Sequence, residues 1–258
     1  MKKRILGISS LLLFIMLAFV ASASILAVPA SEVARSRSPV IDANGTVNTD
    51  LVKVDFVYYV KPDGVGKPAK TNLGYDLMGV KWLVQEDYQV NLSNTTLPTQ
   101  EAANAILASV AEWDRYTDCT KTTGLDLFGD VSYSDNVHYG VYDYINAMEF
   151  GDYPDPNVIA ITSIWYSRSA KAILEYDIMF NNGDFNWSIA ENGSPDAMDL
   201  QNIATHELGH AIGLEDIYKL DFNYVTMYGY STNGDIQKRT LAEPDILGLQ
   251  SMYGGLSN

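Results

Sequence analysis

The sequence between residues 206 and 216 reads His206-Glu-Leu-Gly-His-Ala-Ile-Gly-Leu-Glu-Asp216, and it decides how the rest of the chain is interpreted. Its two histidines are four positions apart, so on an α-helix their imidazoles share one face, about 6 Å apart along the axis, and both can reach one metal ion. Glu207 follows the first histidine directly, where its carboxylate can take a proton from water without binding the metal. The spacing predicts a helical metal site with Glu207 as general base.

A third metal ligand is expected from the chain that follows this helix. Gly213 favours the left-handed conformation that ends a helix, and the turn brings Asp216 towards the metal from another direction. A carboxylate suits this position, because catalytic zinc sites with two histidines and one carboxylate are well established. Two alternatives stay open. His138 lies in a turn-like stretch, and Glu243 is also explained as a helix cap, so Asp216 is the preferred ligand.

Hydrophobic periodicity outward from this run predicts three helices and several strands. The helices are expected at about Thr99–Tyr116, from Asp199 to Gly213, and at Leu241–Tyr253, the last one capped by Thr240 with Glu243 at capping-box spacing. Segments rich in β-formers between turn residues predict strands at Leu51–Val60, Val80–Val84, Gln89–Leu92, Leu125–Phe128, Asn146–Phe150, Val158–Thr162 and Ile173–Phe180. The mixture predicts an α+β fold.

The first thirty residues differ from the rest of the chain. Three basic residues at positions 2–4 precede a long uncharged apolar run that ends in small residues, which is typical of a cleaved secretory signal peptide. An uncleaved membrane anchor is the alternative, because the run is long enough to span a bilayer. We therefore expect a signal peptide at 1–30, an N-terminal segment at 31–77 that is a pro-region or a set of extra strands, and a catalytic domain at 78–258.

Composition excludes some classes of partner. The net charge of −15 makes nucleic acid a poor partner, and nothing beyond the leader resembles a membrane span. The single cysteine, Cys119, excludes an intramolecular disulfide. The acidic loops suit calcium (Ca²⁺), but no particular residues can be assigned to it, and the oligomeric state has no signal in the sequence.

Several motifs together resemble the metzincin peptidases. The run His206–Asp216 is similar to their signature H-E-x-x-H-x-x-G-x-x-H, with Asp at the last position. Val225-Thr-Met-Tyr-Gly-Tyr230 is similar to their Met-turn, in which Met227 would form an apolar floor under the metal. Tyr230 stands where some metzincins carry a tyrosine beside the metal, so it is a candidate helper.

Two further stretches resemble the matrixin branch in particular. Tyr176–Phe180 with the turn at Asn186–Ser188 is similar to a matrixin edge strand, and Pro244–Gly254 is similar to the C-terminal helix. The resemblance runs from Val80 to Gly254. It implies a metzincin-type fold, in which a twisted mixed sheet is backed by helices, with an active-site helix and a small C-terminal part.

The resemblance also implies a function. The expected protein is a secreted zinc-dependent endopeptidase whose protein or peptide substrate lies extended along the strand Ile173–Phe180. A non-catalytic, metal-stabilised surface or binding protein on the same fold is the alternative. The chain lacks the Pro-Arg-Cys-Gly motif and the histidine-rich structural-zinc loop of matrixins, and Pro244 replaces an acid. A cysteine switch, a second zinc ion and the usual N-terminal salt link are therefore not expected.

Overall fold

A computed structural model describes residues 35–41, 47–61, 73–117 and 126–255. The expected signal peptide lies outside the described residues and remains a prediction. Cys119 also lies outside them. Within the described ranges, no helix is long and apolar enough to cross a membrane.

The described chain forms three α-helices and twelve strands. The helices are α1 (Thr99–Asp114), α2 (Leu200–Ala211) and α3 (Glu243–Tyr253). The strands are β1 (Arg35–Ile41), β2 (Val47–Val60), β3 (Asp76–Leu77), β4 (Glu86–Asn91), β5 (Phe128–Tyr133), β6 (Asn146–Gly151), β7 (Val158–Ser167), β8 (Ala172–Asn181), β9 (Trp187–Ser188), β10 (Met198–Asp199), β11 (Leu214–Glu215) and β12 (Tyr230–Ser231).

One large sheet of eight strands organises the fold. Its order is β1-β2-β7-β8-β6-β4-β5, and β12 pairs with β2 outside this path. The pairs made by β4 with β5, β4 with β6, and β6 with β8 are parallel, whereas β7 is antiparallel to both of its neighbours. The predicted α+β class and mixed sheet are confirmed.

Helices α1 and α2 pack together on one face of this sheet. The apolar face predicted for α1 is buried, including Ile106, Val110 and Trp113. Trp113 also donates its indole N–H to the carbonyl oxygen of Thr205 on α2, at 2.8 Å. This bond satisfies a polar group inside the core and fixes the position of α2 relative to α1.

Several local predictions were wrong. β5 begins only at Phe128, the last residue of the expected strand Leu125–Phe128, and runs to Tyr133. The expected strand at Val80–Val84 is only an isolated bridge between Lys81 and Ala172, because Trp82 is instead anchored across the core, donating from its indole to the carbonyl oxygen of Ala211 at 2.8 Å. The expected cap of the last helix by Thr240 and Glu243 is also absent. The carboxylate of Asp245, in the first turn of α3, accepts the backbone N–H of Ala242 instead.

The predicted edge strand at Ile173–Phe180 was also placed wrongly. This segment lies in β8, which is paired on both sides, with β7 and β6. Both faces of β8 are covered, so nearly all its residues are buried. An added peptide strand cannot pair there.

The N-terminal segment supplies extra strands. β2 pairs with β7 over the register from Leu51 to Tyr59, and β1 pairs with β2. On its other side β2 pairs with β12 at Tyr59 and Val60. The strand alternative for residues 31–77 therefore describes β1 and β2, while removal of the segment as a pro-region remains a prediction.

A loop on the sheet face opposite α1 and α2 is held by two buried carboxylates of β8. Asp177 accepts the backbone N–H groups of Gly140 and Ala147, at 2.7 and 3.2 Å. Glu175 accepts those of Asp143 and Tyr144. These acids fix the loop that covers the outer face of the sheet.

Candidate active site

Residues at both ends of helix α2 determine where it begins and ends. Asp199 caps its N-terminus by accepting the backbone N–H of Asn202 at 2.9 Å. After the helix, Gly213 has a φ of 103°, and a Cβ at this position would lie 2.5 Å from the carbonyl oxygen of Val80. Only glycine fits there without strain. The resulting turn returns the chain beneath α2 and brings Asp216 to the two histidines, as predicted.

Three side-chain atoms converge at the centre of the site. Asp216 Oδ1 lies 3.3 Å from His206 Nε2 and 3.4 Å from His210 Nε2. Ligand atoms at about 2.0–2.2 Å from a tetrahedral zinc ion are roughly 3.3–3.5 Å from one another. His206, His210 and Asp216 are the one group in the described chain with the spacing of a metal site.

The other ring nitrogen of each histidine is fixed by the backbone. His206 Nδ1 lies 2.8 Å from the carbonyl oxygen of Thr226, and His210 Nδ1 lies 2.9 Å from that of Leu214. A carbonyl only accepts, so Nδ1 carries the proton in both rings and each Nε2 presents a lone pair to the centre. His206 Nε2 and Asp216 Oδ1 are buried without a hydrogen-bond partner in the described structure. The donors present therefore fit a metal ion.

Burial and mutual charge set the protonation states of the site. Burial lowers the pKa of His206 to about 4, which favours the neutral ligand form. Burial also opposes protonation of His210, but the carboxylates of Asp216 and Glu207 outweigh it and raise that pKa. Despite its burial, Asp216 has a lowered pKa, because the neighbouring His210, whose own pKa is raised, favours the charged carboxylate.

Glu207 is positioned beside this group by the sheet. Thr162, at the centre of β7, donates its hydroxyl to Glu207 Oε2 at 2.5 Å, while Oε1 is buried with no hydrogen-bond partner. Burial raises the pKa of Glu207 to about 7. A carboxylate with a pKa near neutrality and one uncommitted oxygen has the properties of a general base.

Met227 forms part of the floor under α2. A Cβ on Gly209, between the two histidines, would lie only 2.2 Å from the Met227 sulfur. Asp245 of α3 accepts the backbone N–H groups of Thr226 and Met227, at 2.8 and 3.1 Å. Since Thr226 also bonds His206, α3 positions the first histidine through this segment.

The alternative ligands lie away from the centre. His138 is exposed, and its Nδ1 lies 3.5 Å from Glu149 Oε2. Glu243 is exposed at the start of α3. Tyr230 is buried in β12, packed edge-on against Tyr218. It is Tyr218 that donates to Asp216, at 3.0 Å. The helper role predicted for Tyr230 stays untested.

Sequence reasoning missed four residues that touch the site. Thr162 donates a hydrogen bond to Glu207, and Tyr218 donates one to Asp216. The ring of Phe56 stacks on His210, and the ring of Tyr58 stacks on His206. Only the alternation of apolar residues along β2 hinted that Phe56 and Tyr58 share a buried face. No sequence signal showed which surface that face would meet.

A mixed sheet backed by helices, with two histidines and an aspartate converging beneath the active-site helix, is the arrangement of a metzincin-type metalloprotein. Residues 81–254 match the matrixin peptidase family, so roughly two thirds of the chain is covered and the chain belongs to that family. It is 28% identical to karilysin of Tannerella forsythia over 188 residues, which are 72% of this chain and 36% of that protein.

A second relative is human matrilysin, which is 42% identical over 67 residues, 26% of this chain and 24% of that protein. The chain therefore spans only about a third or less of the length of these relatives.

Proposed function

We propose that the chain is a secreted zinc-dependent endopeptidase with Glu207 as its general base. The observation that carries this proposal is the convergence of His206 Nε2, His210 Nε2 and Asp216 Oδ1 beside an uncommitted Glu207 oxygen, in a chain of the matrixin family. Karilysin and human matrilysin are each similar to part of the chain.

The proposed roles follow from the positions of the residues. His206, His210 and Asp216 hold zinc, which when bound supplies Lewis acidity that polarises a carbonyl and lowers the pKa of water. Glu207 Oε1 takes the proton from the attacking water and delivers it to the nitrogen of the leaving amine. Thr162 holds the other carboxylate oxygen, so that Oε1 keeps one orientation during both transfers.

The proposal also covers the localisation of the protein, its substrate class and a calcium site. The expected leader at residues 1–30 supports secretion, and the net charge of −15 supports a protein or peptide substrate over nucleic acid. A calcium site in the acidic loops stays a prediction without assigned ligands.

One observation favours the alternative of a non-catalytic, metal-stabilised protein. His206, Glu207 and His210 are at most 1% exposed, so substrate has no path to them while β2 stays in place. A buried metal site of this kind can serve stability alone.

Casein hydrolysis by the zinc-loaded full chain tests the proposal. The chain is assayed before and after limited trypsin treatment, once the trypsin has been inactivated, beside the same preparations of Glu207→Gln and of a chelated sample. Hydrolysis by wild type that disappears in both controls supports the peptidase. Failure of every wild-type preparation, with zinc still bound and the fold intact, would leave the structural metal site as the correct assignment.

A further inference from the structure

The two carboxylate oxygens of Asp216 face different partners. Oδ1 lies 3.3 Å from His206 Nε2 and 3.4 Å from His210 Nε2. Oδ2 accepts a hydrogen bond from the phenol of Tyr218, at 3.0 Å. A carboxylate oxygen only accepts, and a phenol keeps its proton at neutral pH, so Tyr218 is the donor. One oxygen is therefore left for the proposed metal site, while the other is already engaged.

An aspartate as third ligand leaves a choice that a histidine does not. The imidazoles of His206 and His210 each offer one lone pair, because the other ring nitrogen is bonded to a backbone carbonyl. Asp216 has two equivalent oxygens on one rotatable bond. Either oxygen, or both together, can bind a metal ion, since carboxylates are mono- or bidentate ligands. A hydrogen bond to one oxygen removes this choice.

The backbone beside Tyr218 is fixed by the segment that carries Met227. Ile217, the residue before Tyr218, donates its backbone N–H to the carbonyl oxygen of Met227 at 2.7 Å. The carbonyl oxygen of Ile217 accepts the backbone N–H of Gly229 at 2.9 Å. The two segments thus form a short parallel bridge. The side chains on either side of Ile217, those of Asp216 and Tyr218, therefore start from a fixed backbone.

The ring of Tyr218 is confined as well. It lies over Gly229, where a Cβ would collide with the edge of the ring. The ring of Tyr230 packs against it edge-on, with centroids 5.2 Å apart. These neighbours leave the phenol little freedom, so packing keeps its hydroxyl directed at Asp216.

We propose that Tyr218 is a positioning residue that holds Oδ2 of Asp216, so that the carboxylate offers only Oδ1 to the metal. The inference rests on the proposed zinc site and peptidase function, and it adds the residue that sets the form of the third ligand. A catalytic zinc site has three protein ligands and keeps one position open for water or substrate. If Oδ2 also became a ligand, it would take that open position. Tyr218 therefore protects the position that the reaction needs.

Removal of the hydroxyl alone tests this role. The full chain is stripped of metal with a chelator and reloaded with cobalt(II), whose visible absorption is stronger in four-coordinate than in five-coordinate sites. In Tyr218→Phe, Oδ2 of Asp216 is released, so we expect the absorption per bound cobalt to fall at least about twofold relative to wild type. Metal analysis after gel filtration gives the amount of cobalt bound.

Tyr228→Phe is the matched control. The Tyr228 hydroxyl is buried, and no hydrogen-bond partner for it lies in the described part of the chain. The variant therefore makes the same chemical change in the segment that packs beside Tyr218, and it removes a hydroxyl that does not bond Asp216. We expect its cobalt spectrum to match that of wild type.

Kinetics give a second readout. After the trypsin treatment used for the casein assay, we expect zinc-loaded Tyr218→Phe to show a kcat at least about tenfold below wild type and a KM within about twofold, because the loss falls on the reacting position rather than on substrate contacts. Tyr228→Phe is expected to keep both constants. A hydrogen bond that served the fold alone would leave both the cobalt spectrum and kcat unchanged.

The two readouts separate the positioning role from the proposed function. A weaker cobalt spectrum in Tyr218→Phe alone, without hydrolysis by any preparation, supports the positioning role and rejects only the peptidase. Equal spectra in wild type and Tyr218→Phe, each with one cobalt bound, would overturn the positioning role whether or not peptide is hydrolysed. Failure of Tyr218→Phe to bind cobalt, with its circular dichroism unchanged, would also contradict it, because a released Oδ2 adds a ligand. Failure of wild type to bind cobalt rejects the metal site and the positioning role together.

Discussion

At the scale of single residues, the proposed general base, Glu207, is held by a hydrogen bond that no sequence motif indicates. Thr162 Oγ1 holds Glu207 Oε2 within a fully buried site. Thr162→Val keeps the shape of the side chain and removes only the donor. In the activated enzyme we expect kcat to fall at least about tenfold while zinc content is unchanged, because one hydrogen bond to a charged group contributes roughly 1.5–3 kcal/mol. Steady-state kinetics beside a zinc assay make the comparison, and an unchanged kcat would show that Thr162 does not position the base.

Asp216 is the proposed metal ligand whose assignment depends most on the structure. Its Oδ1 is buried and without a hydrogen-bond partner, 3.3 and 3.4 Å from the two histidine nitrogens. Asp216→Ala leaves two ligands, so we expect zinc affinity to fall by at least about 100-fold. The measurement is zinc per chain after dialysis, with Glu215→Ala as the neighbouring control. Retention of a full equivalent of zinc by Asp216→Ala would exclude it as a ligand.

At the scale of elements, the sequence predicts a helix or strand well when the residues that determine it lie within that element. Helix α2 has a capping Asp199, a helical period and a terminal Gly213, all within its own sequence. The neighbours of β8 and β2 are set by residues far along the chain, which periodicity does not report. An interior strand is usually marked by a continuous apolar run, and Glu175 and Asp177 interrupt that run in β8. Both acids are nevertheless buried, because backbone N–H groups of a distant loop are their partners, and the sequence gives no sign of that loop's position.

The link between α3 and the Met227 segment gives a prediction at this scale. Asp245 accepts the backbone N–H groups of Thr226, Met227 and Ala242. Asp245→Ala leaves these buried donors unpaired, and we expect a loss of about 2–4 kcal/mol in the free energy of unfolding. Glu243→Ala, on the exposed face of the same helix turn, is expected to stay within about 0.5 kcal/mol. Urea unfolding compares the two variants, and similar losses in both would refute a specific role for Asp245.

At the scale of the whole molecule, acidic side chains lie in the interior as well as on the surface. The chain carries 32 acidic and 17 basic residues, yet Glu175, Asp177 and Asp245 are fully buried with backbone N–H donors as partners. Backbone donors satisfy the oxygens but do not neutralise the charge. The stability of the fold is therefore expected to depend on pH through these acids.

The two acids of β8 make this dependence testable. Burial is the main cause that raises the pKa of Glu175 from 4.5 to about 7 and that of Asp177 from 3.8 to about 8. The folded chain binds these protons more tightly than the unfolded chain, so the stabilisation is complete below about pH 4, falls progressively as the pH rises, and is lost once the pH has passed the folded pKa values of about 7 and about 8. Glu175→Gln with Asp177→Asn removes both titrations. Wild type should therefore lose more free energy of unfolding than the double variant between pH 5.5 and 8.5 in urea titrations. Equal losses would mean that the backbone donors already keep both carboxylates ionised at the lower pH.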